Sequence, residues 1–403
     1  MGRQGSYAYK INRGKPAMKI LYTLHSHTGN PGGMEQHVLD LITGMVQRSH
    51  EVHVFCRAGV IADWYKRAGA QVTICDINYD LDPVYVVNLV SYLRKHKIQI
   101  VHAHELRAVA NSLLAGFVAR TPVKISHTHT PISEWQTPNL AKELFTKLTI
   151  FGYANEVNML SSTEIALTES RKRIKMQEGI NPNKLHIIPN GIVAEKFSDL
   201  PSKSAFRQEI LAKYAIPQNA FVFGNVSRLT EEKDHETLIQ AFSVFMQRTV
   251  NRDGEIALLI AGGGPLEQTL RQQVKKLGLE HCVKITGVFD ETDKLKMYAA
   301  FDAFVFTSQA EGFGIVLLEA MSAGLPILCS NLEVLQEVGG AAALYFNVHD
   351  PADLAQKMID LYARRANLQN LMSNAQTRVK DLFTLEKFDE AYETLYLQLL
   401  EKL

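Results

Sequence analysis

The sequence predicts an α/β protein of two doubly wound, Rossmann-like units, and three observations carry that prediction. Short β-branched runs alternate with amphipathic stretches from Lys19 onward, the pattern of a parallel sheet covered by helices. The alternation breaks once, in PNGIVAEKFSDLPSK (189–203), and then starts again. At 403 residues the chain exceeds what one hydrophobic core organises and suits two domains of ordinary size.

The first unit is expected over 18–190, with strands at 19–25, 51–56, 71–77, 98–104, 122–129, 164–168 and 185–189. Helical periodicity fills 33–48, 84–97, 106–119 and 137–152. The second unit, 191–383, offers strands at 220–227, 255–262, 282–287, 303–307, 325–330 and 342–346. Runs this continuously apolar belong to strands covered on both faces. Ligands of such sheets bind at the carboxyl ends of the strands, so two facing sheets imply a cleft. The tail is helical, and its last amphipathic stretch is expected to pack back on the first unit. Residues 1–17 read as a flexible extension; they lack a signal peptide's apolar segment, and Gly2 with Ser6 fits the myristoylation pattern only as short strings match by chance.

The formal charge is +1, which argues against a dedicated nucleic-acid binder. That total hides a split: residues 1–190 hold 22 Lys+Arg against 14 Asp+Glu, and the remainder 21 against 28. Basic residues gather in LRKHK (93–97), SRKRIK (170–175) and the N-terminal arm. Cys56, Cys75, Cys282 and Cys329 lie in or at the ends of apolar runs without a C-x-x-C, and read as reduced thiols in a cytoplasmic protein. No apolar run is long enough to span a membrane. Asp80-Leu81-Asp82 spells a D-x-D, but before a helical stretch it reads as a turn and helix cap rather than a metal site.

The densest chemical signal is EGFGIVLLEAMSAGLPILCS (311–330). Glu311 and Glu319 bracket Gly312-Phe313-Gly314, with a helix expected from about Gly314. Its first amides form an anion site, and Glu319 sits one to two turns in, where a carboxylate can accept vicinal hydroxyls. An ordinary helix start with acidic residues is the plain alternative. Arg228 and Lys233 follow a strand in SRLTEEKDHETL and suit a diphosphate, unless Glu231 and Glu232 merely neutralise them. In the first unit, HSHTGNPGGMEQH (25–37) is a Gly/Pro loop whose Gly32 and Gly33 let backbone approach a phosphate. It is neither G-x-G-x-x-G nor a Walker A string.

Taken in order, GGMEQHVLDL (32–41), SHTHT (126–130), IIPNGIVAEKF (187–197), VSRLTEEKD (226–234), LLIAGGGPL (258–266), ITGVF (285–289) and EGFGIVLLEAMSAGLPIL (311–328) resemble the retaining glycosyltransferases of family 4, with the GT-B fold. The resemblance implies that Glu319 holds the donor's ribose, and that Glu311 with the amides of Gly312, Phe313, Gly314 and Ile315 holds the donor sugar. It implies that Arg228 and Lys233 neutralise the diphosphate, that Gly287 and Val288 meet the base, and that Gly33, beside Gly32, lets the first domain close on the phosphates. It places a catalytic histidine at the end of the fourth or fifth strand. His127 and His129 both fit, and His129 is preferred as nearer the carboxyl end. His102 and His104 read as satisfied core-edge histidines. Glu35 either faces the acceptor or caps its helix.

The implied activity moves a sugar from a nucleotide-diphosphate sugar, a UDP-sugar above all, to a hydroxyl of a polysaccharide, glycolipid or small-molecule precursor in envelope synthesis. No metal or other cofactor is expected. A GT-B sugar phosphorylase, a sugar-nucleotide epimerase and a catalytically silent nucleotide-sugar binder are the alternatives. The basic first unit suits an anionic or lipid-linked acceptor. EWQTPNLAKELFTKLTIFGYANEV (134–157) interleaves Trp135, Phe145, Leu148, Phe151 and Tyr153 with lysines. Their helical spacing favours core packing over peripheral contact with the inner face of a membrane.

Overall fold

A computed structural model describes residues 16–25, 32–134, 139–198, 200, 202–249 and 256–402. Residues 1–15, including Gly2 and Ser6, residues 26–31 and Trp135 lie outside them. The chain divides into two compact units, Met1–Gly191 with Leu385–Leu403, and Ile192–Thr384.

The first unit holds β1 (Lys19–Thr23), β2 (Glu51–Cys56), β3 (Gln71–Ile74), β4 (Ile100–His104), β5 (Val123–His127), β6 (Thr163–Ala166) and β7 (Leu185–Ile187) in one parallel sheet, ordered β3-β2-β1-β4-β5-β6-β7. The second holds β8 (Phe221–Val226), β9 (Ile256–Ala261), β10 (Val283–Ile285), β11 (Ala303–Phe306), β12 (Ile327–Ser330) and β13 (Leu344–Phe346), ordered β10-β9-β8-β11-β12-β13. Each strand falls within one residue of its predicted run, and most stop short of its end. The trailing residues leave the ladder to build the loops at the carboxyl edge. In each sheet the strand order reverses once, between β1 and β4 and between β8 and β11. At such a point neighbouring loops leave the sheet in opposite directions and open a crevice.

The apolar strands form the cores, as in Ile256–Ala261, where every residue is buried. The last helix, Leu385–Glu401, contributes Phe388, Tyr392, Leu395 and Tyr396 to the core of the first unit, each side chain adding about 1.5–3 kcal/mol of apolar burial. Residues 385–403 bring five acidic residues and two lysines to this unit, which changes the charge division. The first unit carries +5 and the second −4, rather than +8 and −7.

Two expectations about the surface fail. The helix Leu140–Leu160 does not bury its aromatic stripe: Phe145, Leu148 and Phe151 are 61%, 63% and 71% exposed, while Tyr153 and Val157 face the core. Periodicity identifies a shared face but not what covers it. SRKRIK is not a wholly solvated patch, because Arg171 and Lys175 are buried in ion pairs with Glu134 and Glu164. Among the described residues no helix is long and apolar enough to cross a membrane.

Candidate functional site

At the switch point of the second sheet, the loops leaving β8 and β11 meet. Lys233 pairs with Glu311, and Ser308 Oγ donates to the same carboxylate at 2.7 Å. Thr307 Oγ1 donates to Lys233 O at 2.7 Å and Gln309 N to Glu232 O at 2.8 Å, so the two loops are knit together. Lys233 ends a 3-10 turn, Glu231–Lys233, just ahead of the helix His235–Arg248. The expected neutralisation by the loop's own acids is weak: Arg228 lies 3.8 Å from Glu232, and its side chain is 58% exposed. The switch point therefore presents one anchored cation and one exposed one.

Glycines admit this arrangement. A Cβ on Gly262 would lie 1.8 Å from Ser227 O, so only glycine lets the loop after β9 pass beneath Arg228. Gly314 has φ +90° and caps the helix Ile315–Ser322, a left-handed conformation that costs glycine little. Phe313 turns inward onto Phe383, leaving backbone rather than ring at the helix start. Gly287 has φ +70° and precedes an exposed Val288 after β10. Glu319 lies in the second turn of the helix, buried, with Lys294 Nζ at 2.5 Å and the Tyr298 hydroxyl donating at 2.7 Å. Lys294 and Tyr298 carry no local sequence signal; they come from a helix before β11.

At the switch point of the first sheet, Gly32 N donates to Glu35 Oε2 at 2.8 Å. Glu35 is buried and closes its own helix start, the second of its two sequence readings. Glu105, unpredicted, follows β4 with φ +70°. Burial, and then the nearby Glu35, push its carboxyl up to about 7. Asp82 caps the helix Pro83–His96, accepting from the amides of Val84 and Tyr85, and Asp80 pairs with Arg107.

The histidines gather into one group. His127 ends β5 fully buried, and His129 lies just beyond the strand, partly exposed, with the rings stacked at 4.0 Å. His104 Nδ1 is 3.2 Å from His129 Nε2. His37, from the helix Gly33–Gln47, sits edge-on to both, 4.9 Å from the His127 ring and 4.8 Å from that of His129. Burial lowers His37 to about 4 and the other three well below the ordinary range, helped by mutual repulsion, so all are neutral at pH 7. His102 and His104 are not satisfied core-edge residues: each is fully buried with an Nε2 that has no partner among the described residues.

Comparison with known proteins follows the two units. Residues 31–196 match the family Glycosyltransferase Family 4, and residues 206–378 match Glycosyl transferases group 1. The UDP-Gal:alpha-D-GlcNAc-diphosphoundecaprenol alpha-1,3-galactosyltransferase of Escherichia coli is 25% identical over 363 residues, covering 87% of this chain and 89% of that protein. The N-acetyl-alpha-D-glucosaminyl L-malate synthase of Bacillus anthracis is 25% identical, covering 72% and 78%. The crystal structure of Anabaena Alr3699/HepE in complex with UDP and glucose superposes with a TM-score of 0.79 at 25% identity, covering 94% of this chain and 99% of that one.

Proposed function

The chain belongs to the family 4 glycosyltransferases of GT-B fold, and from that premise we propose that it transfers a hexose or N-acetylhexosamine, with retention, from a UDP-sugar to a hydroxyl of a lipid-linked acceptor. The observation that carries the donor half is the Lys233–Glu311 pair at the β8/β11 switch point, with Arg228 exposed beside it. In this reading both cations take the diphosphate. Charge that builds on the leaving group meets fixed positive groups and the amides around Phe313, Gly314 and Ile315, which need no reorganisation. Glu311 holds the sugar. Glu319 takes the ribose hydroxyls on lone pairs that Lys294 and Tyr298 leave open, since a carboxylate accepts about four hydrogen bonds. Gly287 and Val288 meet the base, and His129, the accessible member of its pair, is the catalytic histidine. The sugar passes through an oxocarbenium-like state, and the acceptor hydroxyl attacks from the face that the leaving group vacates.

UDP is favoured by the similarity to a protein crystallised with UDP and glucose. A lipid-linked acceptor is favoured by the stripe Leu144, Phe145, Leu148 and Phe151, exposed beside Lys142 and Lys147. Such a face suits the boundary of an anionic membrane, and the E. coli relative is named for a diphosphoundecaprenol acceptor. The deciding experiment is a thermal-unfolding panel of uridine, adenosine and guanosine diphosphate sugars, followed by NMR of the product's anomeric proton. A shift with uridine donors and a retained configuration are expected. No shift with any donor, or phosphate-dependent cleavage without nucleotide, overturns the reading.

A further inference from the structure

We propose that His37, His104, His127 and His129 form a binding site for one zinc ion in the first unit. Each residue offers one ring nitrogen, and the four nitrogens lie within 4.8 Å of one another. Zinc binds imidazole at about 2.0–2.1 Å, which places tetrahedral nitrogens about 3.4 Å apart. Side-chain rotation has to close the widest separation by about 1.4 Å, within reach for rings on a strand end, a loop and a helix.

A second observation points to a ligand. His37 Nε2, His104 Nε2 and both ring nitrogens of His127 are buried without a hydrogen-bond partner among the described residues. Native structures rarely leave buried polar atoms unpaired, and an unaccounted ion is one recognised explanation. The outer contacts also suit metal binding. His37 Nδ1 lies 2.6 Å from Asn190 Oδ1; an amide oxygen can only accept, so the ring proton sits on Nδ1 and the lone pair of Nε2 is left for a metal. A carbonyl behind a ligating imidazole is the usual device for fixing its tautomer. His102, hydrogen-bonded to the Tyr396 hydroxyl at 2.8 Å, stacks on His104 at 4.3 Å and backs that ring. Burial keeps the imidazoles in the neutral form that ligates. With no carboxylate in the set, four neutral nitrogens select a borderline ion of the zinc type over magnesium or calcium. The partly exposed His129 provides the way in. The site shares His129 with the sugar-transfer reading, so bound zinc would withdraw that imidazole from the reaction, while zinc binding itself does not depend on that reading.

The test uses the full chain stripped by chelator and titrated with zinc against a chromophoric competitor, with cobalt as a spectroscopic probe. One zinc per chain at micromolar affinity or tighter, a rise in unfolding temperature and a tetrahedral cobalt spectrum are expected. His127→Gln should lose at least 100-fold in affinity, whereas His53→Gln, a buried histidine bonded to Tyr92 and Glu51, should retain it. Asn190→Ala leaves all four imidazoles in place and should weaken zinc about 10–100-fold. Absence of stoichiometric binding, or undiminished binding by folded His127→Gln, overturns the proposal. Unchanged affinity in Asn190→Ala overturns it even if His127→Gln does not fold.

Discussion

Lys233 and Glu311 come from loops 78 residues apart and form a part-buried ion pair, their side chains 16% and 10% exposed. The pair positions the lysine. Replacing Lys233 with Ala should lower kcat by about 10²–10³, the usual effect of removing one preorganised group that stabilises developing charge. Arg228→Ala should do less, because that side chain is exposed and held only by a 3.8 Å pair with Glu232. Steady-state kinetics on purified variants decide between these ranks; equal kinetics for Lys233→Ala and the parent would exclude the diphosphate role.

Glu319 holds Lys294 and Tyr298 as well as the proposed ribose. Glu319→Ala should therefore abolish the UDP-dependent thermal shift and also take one partner from the part-exposed Lys294 and one from the buried Tyr298. Tyr298→Phe removes only the hydroxyl, which lies 2.7 Å from Glu319 and 3.4 Å from Val316 O, and should cost about 0.5–1.5 kcal/mol of stability with nucleotide binding intact. Calorimetric titration of UDP into both variants separates the roles. Undiminished UDP binding by Glu319→Ala would rule out the ribose contact.

Because Phe145, Leu148 and Phe151 are exposed, the triple change to Ser should alter folding stability by under about 0.5 kcal/mol per site. Had they packed in the core, each aromatic loss would cost about 3–5 kcal/mol. The same variant should lose co-sedimentation with anionic vesicles. Persistent sedimentation would point away from this face as the membrane contact.

Lys175 is fully buried, donates to Thr128 O and Oγ1 at 2.8 and 2.6 Å, and pairs with Glu164. It anchors the residue between His127 and His129. Lys175→Met should destabilise the protein by about 3–5 kcal/mol, since it leaves a buried carboxylate uncompensated. Glu164→Gln in the same chain should recover part of that. Urea unfolding measures both; a loss below 0.5 kcal/mol would instead mark a solvated lysine.

His235 is buried beside Ser227 and Asn225, and burial, then the nearby Lys233, lowers it to about 4. The unfolded chain, with histidine near 6.5, binds the proton first. Stability should therefore fall as pH drops from about 6.5 to about 4, by up to about 3 kcal/mol from this residue. His235→Gln should flatten that part of the pH–stability curve. An unchanged slope would mean that His235 already titrates normally in the fold.

Local pattern alone determined much of this protein. Alternating strand and helix periods run through contiguous residues, so two doubly wound units and all thirteen strands were readable, as was a helix start at Gly314 with Glu319 one turn beyond. Only the tertiary structure decided which helix face is covered, because the stripe of Phe145, Leu148 and Phe151 is the same string whether buried or bare. It alone moved the acidic helix Leu385–Glu401 into the first unit, buried Lys175 within a basic run, and gave Lys233 to Glu311 rather than to its neighbours in the loop. It also drew His37, His104, His127 and His129 from three separate segments into one group. Periodicity is a property of neighbours along the chain; charge pairing and ligand grouping depend on which strand ends the sheet order places side by side.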